Sequence, residues 1–124
     1  MTTLTESTHA GEFIVSEANV GSTGVSRSRD NVIVTAGQVL AAGAVIATVA
    51  GKVVEYDNAG SSGAEIATGI LFDAVDATGA DADGVALVRD CEYNTGEIVF
   101  EAGQDQTAKD AAYADLKALG VIGR

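Results

Sequence analysis

The chain contains one histidine and one cysteine, His9 and Cys91, whose side chains could together act as a general base and a nucleophile. A single histidine near a terminus is more often a solvated residue, and a single cysteine in an apolar run is more often a small core residue. A structural zinc site needs four nitrogen or sulfur ligands, and the chain offers two. The sequence therefore predicts no catalytic residue, no metal site and no cofactor, and hence a protein that is not an enzyme.

An acidic segment, DAVDATGADADG, occupies residues 73–84. Its four aspartates resemble a calcium loop, but an EF-hand needs ligands at alternate positions and a glutamate at the twelfth, and here alanine and glycine fill those places. We expect a solvated loop formed around Asp73, Asp76, Asp81 and Asp83.

Lys52 lies in the segment VAGKVVEY, between two aliphatic runs. A lysine at the tip of such a hairpin could carry a lipoyl or biotinyl group. Carrier domains of that kind place an acidic residue or methionine beside the lysine, whereas Lys52 has Gly51 and Val53 as neighbours. An ordinary exposed turn lysine is the favoured interpretation, and a carrier domain remains an alternative.

The composition suits one small domain with an aliphatic core. The chain has 124 residues, of which 47% are hydrophobic and only 5% aromatic, with fifteen glycines and no proline. A chain of this length buries roughly two-thirds of its unfolded surface. It has neither the basic and apolar start of a secretory signal nor an apolar run of about 18 residues, so we expect no membrane partner.

The net charge of −11 is concentrated in one part of the chain. Residues 61–104 hold nine acidic residues against one base, Arg89, which gives this part a charge of −8. Such a surface repels phosphate backbones, and Arg27 with Arg29 makes too small a basic patch to bind one. We therefore expect no nucleic-acid partner.

The pattern of apolar residues predicts a β-rich domain. Glycine-broken apolar runs over residues 30–56 indicate short strands of a folded sheet or partial barrel, and a further strand is expected at about 67–75. Asn94-Thr95-Gly96 predicts a hairpin with a left-handed glycine and a return strand over residues 97–100. Residues 85–93 are predicted to form one strand. One of its two faces holds Val85, Leu87, Arg89, Cys91 and Tyr93.

The tail QTAKDAAYADLKALGVIGR predicts an α-helix that closes the domain. Thr107 is the expected N-cap, and Gly120 stands where a left-handed C-cap belongs. The helix should bury a narrow stripe made of Ala108, Ala112, Leu116 and Leu119. The fold class predicted is thus α+β, a small glycine-rich β domain with a C-terminal helix and an extended N-terminal arm.

The polar start MTTLTESTHAGEFIVSE is predicted as the arm, residues 1–16, followed by a single domain, residues 17–124. A frayed terminus is the alternative, because the first eleven residues hold only Leu4 as a large aliphatic side chain after Met1.

The order of the later motifs resembles the lambda-type phage head decoration protein family. The run ATGILFDAVDATGADADGVALVRDCEYNTGEIVF, followed by a helix and LGVIGR, carries this resemblance, and the glycine-punctuated stretch at 30–56 also fits. The resemblance covers roughly residues 12–124.

The resemblance implies a structural protein on the outer surface of the virion capsid that assembles as homotrimers and stabilises the expanded head. It also implies that the arm pairs as a strand with the major capsid protein. Threonines suit such a strand, and apolar side chains would add burial. The expected capsid-binding residues are Thr2, Thr3, Leu4, Thr5, Phe13, Ile14 and Val15. A carrier domain modified at Lys52 and a tail or surface adhesion module using the acidic loop are the alternatives.

Overall fold

A computed structural model of the chain describes residues 3–20 and 25–124. One helix, α1 (Gln106–Ala118), accompanies short strands among these residues, which confirms the predicted α+β class. The strands are β1 (Ile14–Glu17), β2 (Asn19–Val20), β3 (Val25–Ser26), β4 (Arg29–Val34), β5 (Val39–Leu40), β6 (Val45–Val49), β7 (Lys52–Glu55), β8 (Ala67–Leu71), β9 (Val75–Asp76), β10 (Ala82–Leu87), β11 (Cys91–Tyr93) and β12 (Val121–Gly123).

Five strands close into a barrel in the order β10-β4-β7-β6-β8, with β8 pairing back onto β10. A three-stranded sheet, β1-β11-β12, lies outside the barrel, and β2-β3 and β5-β9 form two-stranded pairs. Most barrel neighbours are antiparallel, while β4 and β7 are parallel and meet at one residue pair, Val34 and Val53. The predicted folded sheet or partial barrel is therefore a closed barrel.

The glycine-broken apolar runs arise because several strands are buried on both faces. In β6, Val45 belongs to one core cluster and Ile46 to the other, and Ile70 and Leu71 of β8 divide in the same way. Successive side chains of a strand point to opposite faces, so a strand between two cores has no polar face. One cluster fills the barrel, and the second lies between the barrel, α1 and the β1-β11-β12 sheet.

The segment predicted as one strand over residues 85–93 is two strands with different partners. β10 ends at Leu87, and the chain turns through Asp90, which has a φ of 50°. β10 pairs within the barrel, whereas β11 pairs with β1 and β12. Cys91 is nevertheless buried, as predicted, whereas the neighbouring Asp90 is exposed.

The turn of the predicted hairpin after Tyr93 is present, but the predicted return strand is not. The backbone N–H of Glu97 donates to the Asn94 carbonyl at 3.0 Å, which makes a turn, but Gly96 does not have a positive φ. Residues 97–100 do not return along β11, because β1 and β12 already occupy both of its edges. Val99 instead forms an isolated parallel bridge with Ala44.

The N-cap of helix α1 lies two residues before the predicted one. The N-cap is Asp105, whose carboxylate accepts a hydrogen bond from the Ala108 N–H at 2.9 Å, and Thr107 lies inside the first turn. Of the predicted stripe, Leu119 is 43% exposed and caps the C-terminus, while the buried members are Ala108, Ala112 and Leu116.

Gly120 ends the helix with a φ of 81°, as predicted, because a left-handed residue there costs glycine little. The helix does not close the domain, however. β12 follows it and lies parallel to β11, so the last strand is held by a pairing that the sequence does not reveal. No helix among the described residues is long and apolar enough to cross a membrane.

Candidate functional site: the N-terminal arm and its attachment

The N-terminal arm is mostly exposed over residues 3–10. Leu4 is 91% exposed, and the arm has no regular secondary structure before the turn that starts at Ala10. Thr3 and Thr5 are also exposed, and Thr2 lies outside the described residues. The predicted arm residues ahead of the turn therefore remain available for contact with another molecule.

The second group of predicted arm residues belongs to the folded domain. Phe13 is 1% exposed and packs in the core cluster that also holds Tyr93 and Leu116. Ile14 is half-buried in β1, which is hydrogen-bonded to β11, and only Val15 of this group is exposed, at 54%. The segment that leaves the domain in this structure is therefore shorter than residues 1–16, because the first aromatic side chain of the chain is needed in the core.

A turn at residues 10–13 joins the arm to the domain. The Gly11 N–H donates to the Phe72 carbonyl at 3.0 Å, and the Ile14 N–H donates to the Gly11 carbonyl at 3.1 Å. On the arm side, the His9 N–H donates to the Glu12 carboxylate at 2.8 Å. The His9 ring lies 3.2 Å from Glu6, both side chains being largely exposed.

An ion pair holds β1 to β4, and a side-chain hydrogen bond holds it to β11. Arg29 binds Glu17 through two nitrogens, at 2.6 and 3.1 Å, and the buried Ser28 hydroxyl donates to the same carboxylate at 2.7 Å. Glu92 of β11 accepts from the Ser16 hydroxyl at 2.8 Å and from Arg124. The hydrogen bonds from Arg124 and then Ser16 hold the pKa of Glu92 below its usual range.

The two candidate catalytic residues lie in different environments. The Cys91 thiol is 5% exposed, and burial, with smaller effects from Glu17 and Asp90, raises its pKa to about 11. A thiol of that pKa is not a nucleophile near neutral pH. His9 lies on the exposed arm beside Glu6 and Glu12, so no base activates the cysteine in the described structure.

The acidic loop and Lys52 are joined to each other. The turn between β6 and β7 is Ala50-Gly51, and Lys52 is the first residue of β7. Its Nζ lies 2.6 Å from the Asp81 carboxylate, which also accepts from the Ala36 N–H at 2.8 Å. The described residues contain no group of three or more histidine, cysteine or acidic side chains arranged to hold a metal ion.

The contacts of Asp81 predict that the thermal stability of the fold depends on pH in the acid range. Hydrogen bonds from Lys52 and the Ala36 N–H lower its pKa below the ordinary value of about 3.9. This interaction therefore stabilises the fold above about pH 4 and is lost as the pH falls through the lowered folded value. We expect Asp81→Asn to lower Tm slightly at pH 7 and the difference to shrink towards pH 2, measured by thermal melting across that range.

Asp83→Asn is the matched control, because Asp83 is an exposed aspartate two residues further along, in β10, that forms no ion pair within the described residues. It makes the same change of charge. Equal melting curves for the two variants at every pH would contradict a specific role for the Lys52–Asp81 pair.

Gly11, Phe72, Arg29 and Glu17 hold the base of the arm, and the sequence analysis did not select them. In the sequence, Gly11 could have been noticed only as a glycine between polar residues and an apolar run. Nothing in the sequence indicates that Phe72 contacts Gly11, because 61 positions separate the two residues and only the barrel brings them together.

Barrel, helix and arm together define a small α+β domain, built on a five-stranded barrel, that carries an exposed N-terminal extension. The chain belongs to the bacteriophage lambda head decoration protein family, because the family model for bacteriophage lambda head decoration protein D matches residues 3–121. It is therefore a structural, head decoration protein associated with the phage capsid in the virion. No curated protein matched the chain.

Proposed function

We propose that this protein binds the outer surface of the expanded phage head as a homotrimer and stabilises it. In this proposal the arm, residues 3–10, adds as a strand to a sheet of the major capsid protein. Family membership supports the capsid as the partner. The single observation that favours the arm as the contact is its exposed, unpaired course, with Leu4 91% exposed.

The arm has the length and composition for strand addition. Eight extended residues reach about 26 Å, enough to pair along the whole length of a typical edge strand of a neighbouring sheet. Each ladder hydrogen bond returns about 0.5–1.5 kcal/mol, and ordering each residue costs about 1–2 kcal/mol. Backbone pairing alone therefore gives little net affinity. Burial of Leu4 and the simultaneous engagement of three arms would supply the remainder.

Trimer formation would also place the acidic surface at a distance from the capsid contact. The loop region from Asp73 to Asp81 is largely exposed, and its three aspartates, Asp73, Asp76 and Asp81, all accept hydrogen bonds within the chain. We place this loop towards solvent or the rim of the trimer. Sedimentation velocity of the free and head-eluted protein tests the trimer.

The arm is tested by co-sedimentation with expanded, undecorated heads. We expect the full chain to bind, and a chain lacking residues 1–10 to fold but to bind at least about 100-fold more weakly, since it loses every strand contact. The matched control replaces residues 1–10 by a glycine-serine segment of equal length. Binding of the shortened chain with unchanged affinity would contradict the proposal.

Head stabilisation has its own readout, the temperature at which DNA-filled heads release DNA. We expect added full-length protein to raise this temperature, and the chain lacking residues 1–10 to leave it unchanged. A decorated head that releases DNA at the same temperature as a bare one would contradict a stabilising role while leaving the binding result intact.

A further inference from the structure

Gly11 is the point where the arm meets the barrel, and its contact with Phe72 requires glycine. Its φ is 68°, a left-handed conformation that other residues adopt at a cost. A Cβ placed on Gly11 would lie 2.7 Å from Cε2 of the Phe72 ring, closer than real Cβ contacts. The edge of the ring therefore packs directly against the Gly11 backbone, while the Gly11 N–H donates to the Phe72 carbonyl.

The Phe72 ring is held in turn by Arg29. The guanidinium carbon of Arg29 lies 4.1 Å from the ring centroid, a cation–π distance. The same guanidinium binds Glu17 of β1 through two hydrogen bonds. The Arg29 and Glu17 side chains are only 34% and 20% exposed, so water screens this pair less than a surface pair.

These contacts fasten both ends of one segment to the barrel. Gly11, at its start, is bound through Phe72, and Glu17, at its end, is bound through Arg29. Between them, Phe13 is buried in the core. The chain direction at residue 11 is therefore set by the barrel, although the residues before it are exposed.

We propose that Gly11, Phe72, Arg29 and Glu17 form an arm lock that fixes the position and direction in which residues 3–10 leave the domain. They act as positioning residues for capsid binding, so this inference rests on the proposed function. A fixed exit reduces the number of arm conformations that must be given up on binding. In a trimer it also raises the effective concentration of the second and third arms at their sites.

The lock is tested first by the distance between spin labels at Ser7→Cys and Ala102→Cys, both exposed positions. The buried Cys91 thiol, with its high pKa, stays unlabelled at neutral pH. We expect Gly11→Ala to shift or broaden the distance distribution, because the methyl group and the Phe72 ring cannot occupy the same space. Phe72→Leu should broaden it as well, by removing the ring.

Gly37→Ala is the matched control. Gly37 has a φ of 93°, but a Cβ there would have no neighbour within 4 Å. It therefore carries a similar conformational cost without a collision. We expect both alanine variants to lose stability, Gly11→Ala more than Gly37→Ala because of the collision, and only Gly11→Ala to change the label distances. Should Gly11→Ala fail to fold, Phe72→Leu supplies the same test. If the distance distributions of Gly11→Ala and Phe72→Leu both match that of the parent chain, the proposed lock is contradicted.

Head binding of the variants then distinguishes the role of the lock from the role of the arm contact. We expect Gly11→Ala and Phe72→Leu to weaken head binding about 5- to 20-fold, and Gly37→Ala to bind as the parent chain does. If the chain lacking residues 1–10 fails to bind while both lock variants bind normally, the lock is overturned and the arm contact stands. If the shortened chain binds fully, the arm contact fails, and the role of the lock in capsid binding fails with it.

Discussion

Phe13→Ala is expected to destabilise the domain by about 3–5 kcal/mol, a large share of the stability of a small protein. Phe13 is 1% exposed and packs in a cluster formed by the barrel, α1 and the outer sheet, so its removal leaves a cavity in the core cluster where the other aromatic side chains of the chain also pack. For a chain of this size the expected fall in Tm is roughly 10–25 °C, measured by calorimetry or circular dichroism.

Val15→Ala is the control for Phe13. Val15 lies two residues further along in β1 and is 54% exposed, so its truncation should change Tm by only a few degrees. If Phe13→Ala instead left Tm unchanged and abolished head binding, Phe13 would be an arm residue, and the arm would extend into β1.

Leu4→Asp is expected to have the opposite profile: unchanged stability and weak head binding. Leu4 is 91% exposed, so the fold does not depend on it. Burying a leucine side chain in a capsid groove is worth about 1.5–3 kcal/mol, and its loss corresponds to about 10- to 150-fold in affinity for one arm. The loss multiplies where three arms bind together. Co-sedimentation with undecorated heads over a concentration series measures it.

Leu119→Asp makes the same chemical change at the far end of the chain. Leu119 is 43% exposed at the C-cap of α1, outside the arm. We expect it to bind heads within about threefold of the parent chain. Equal losses for the two aspartate variants would point to charge repulsion from the head rather than to a contact made by Leu4.

Much of the fold was predictable from residue types alone. Aliphatic runs punctuated by glycine predict short strands, and β6 and β8 are such strands, although their burial on both faces was not predicted. The alanine-rich tail predicts α1, with Gly120 as its left-handed end. These features follow from local periodicity and local backbone preference, which act over a few residues and are readable in order along the chain.

The errors arose where a residue's partner is distant in sequence. Residues 85–93 alternate like one strand, but the chain changes partners at Asp90, from the barrel to the outer sheet. The cap of α1 is a local exception: Asp105 and Thr107 are both good capping residues, and Asp105 is the one that accepts from the Ala108 N–H. β12 is only three residues long and is held by its pairing with β11.

The sequence by itself determined that this is an aliphatic, acidic, β-rich domain with a polar N-terminal extension and few groups suited to catalysis. Only the tertiary structure shows at which residue the exposed extension ends and the folded domain begins. Leu4 stands among polar residues and Phe13 begins a short apolar run, but neither pattern shows which side chain is buried in the domain. Phe13 is buried because the barrel, α1 and β11 leave a space for its ring, and Gly11 meets Phe72 because barrel closure brings residues 61 positions apart into contact. Such contacts depend on the whole chain having folded, so they cannot be read from the neighbouring residues.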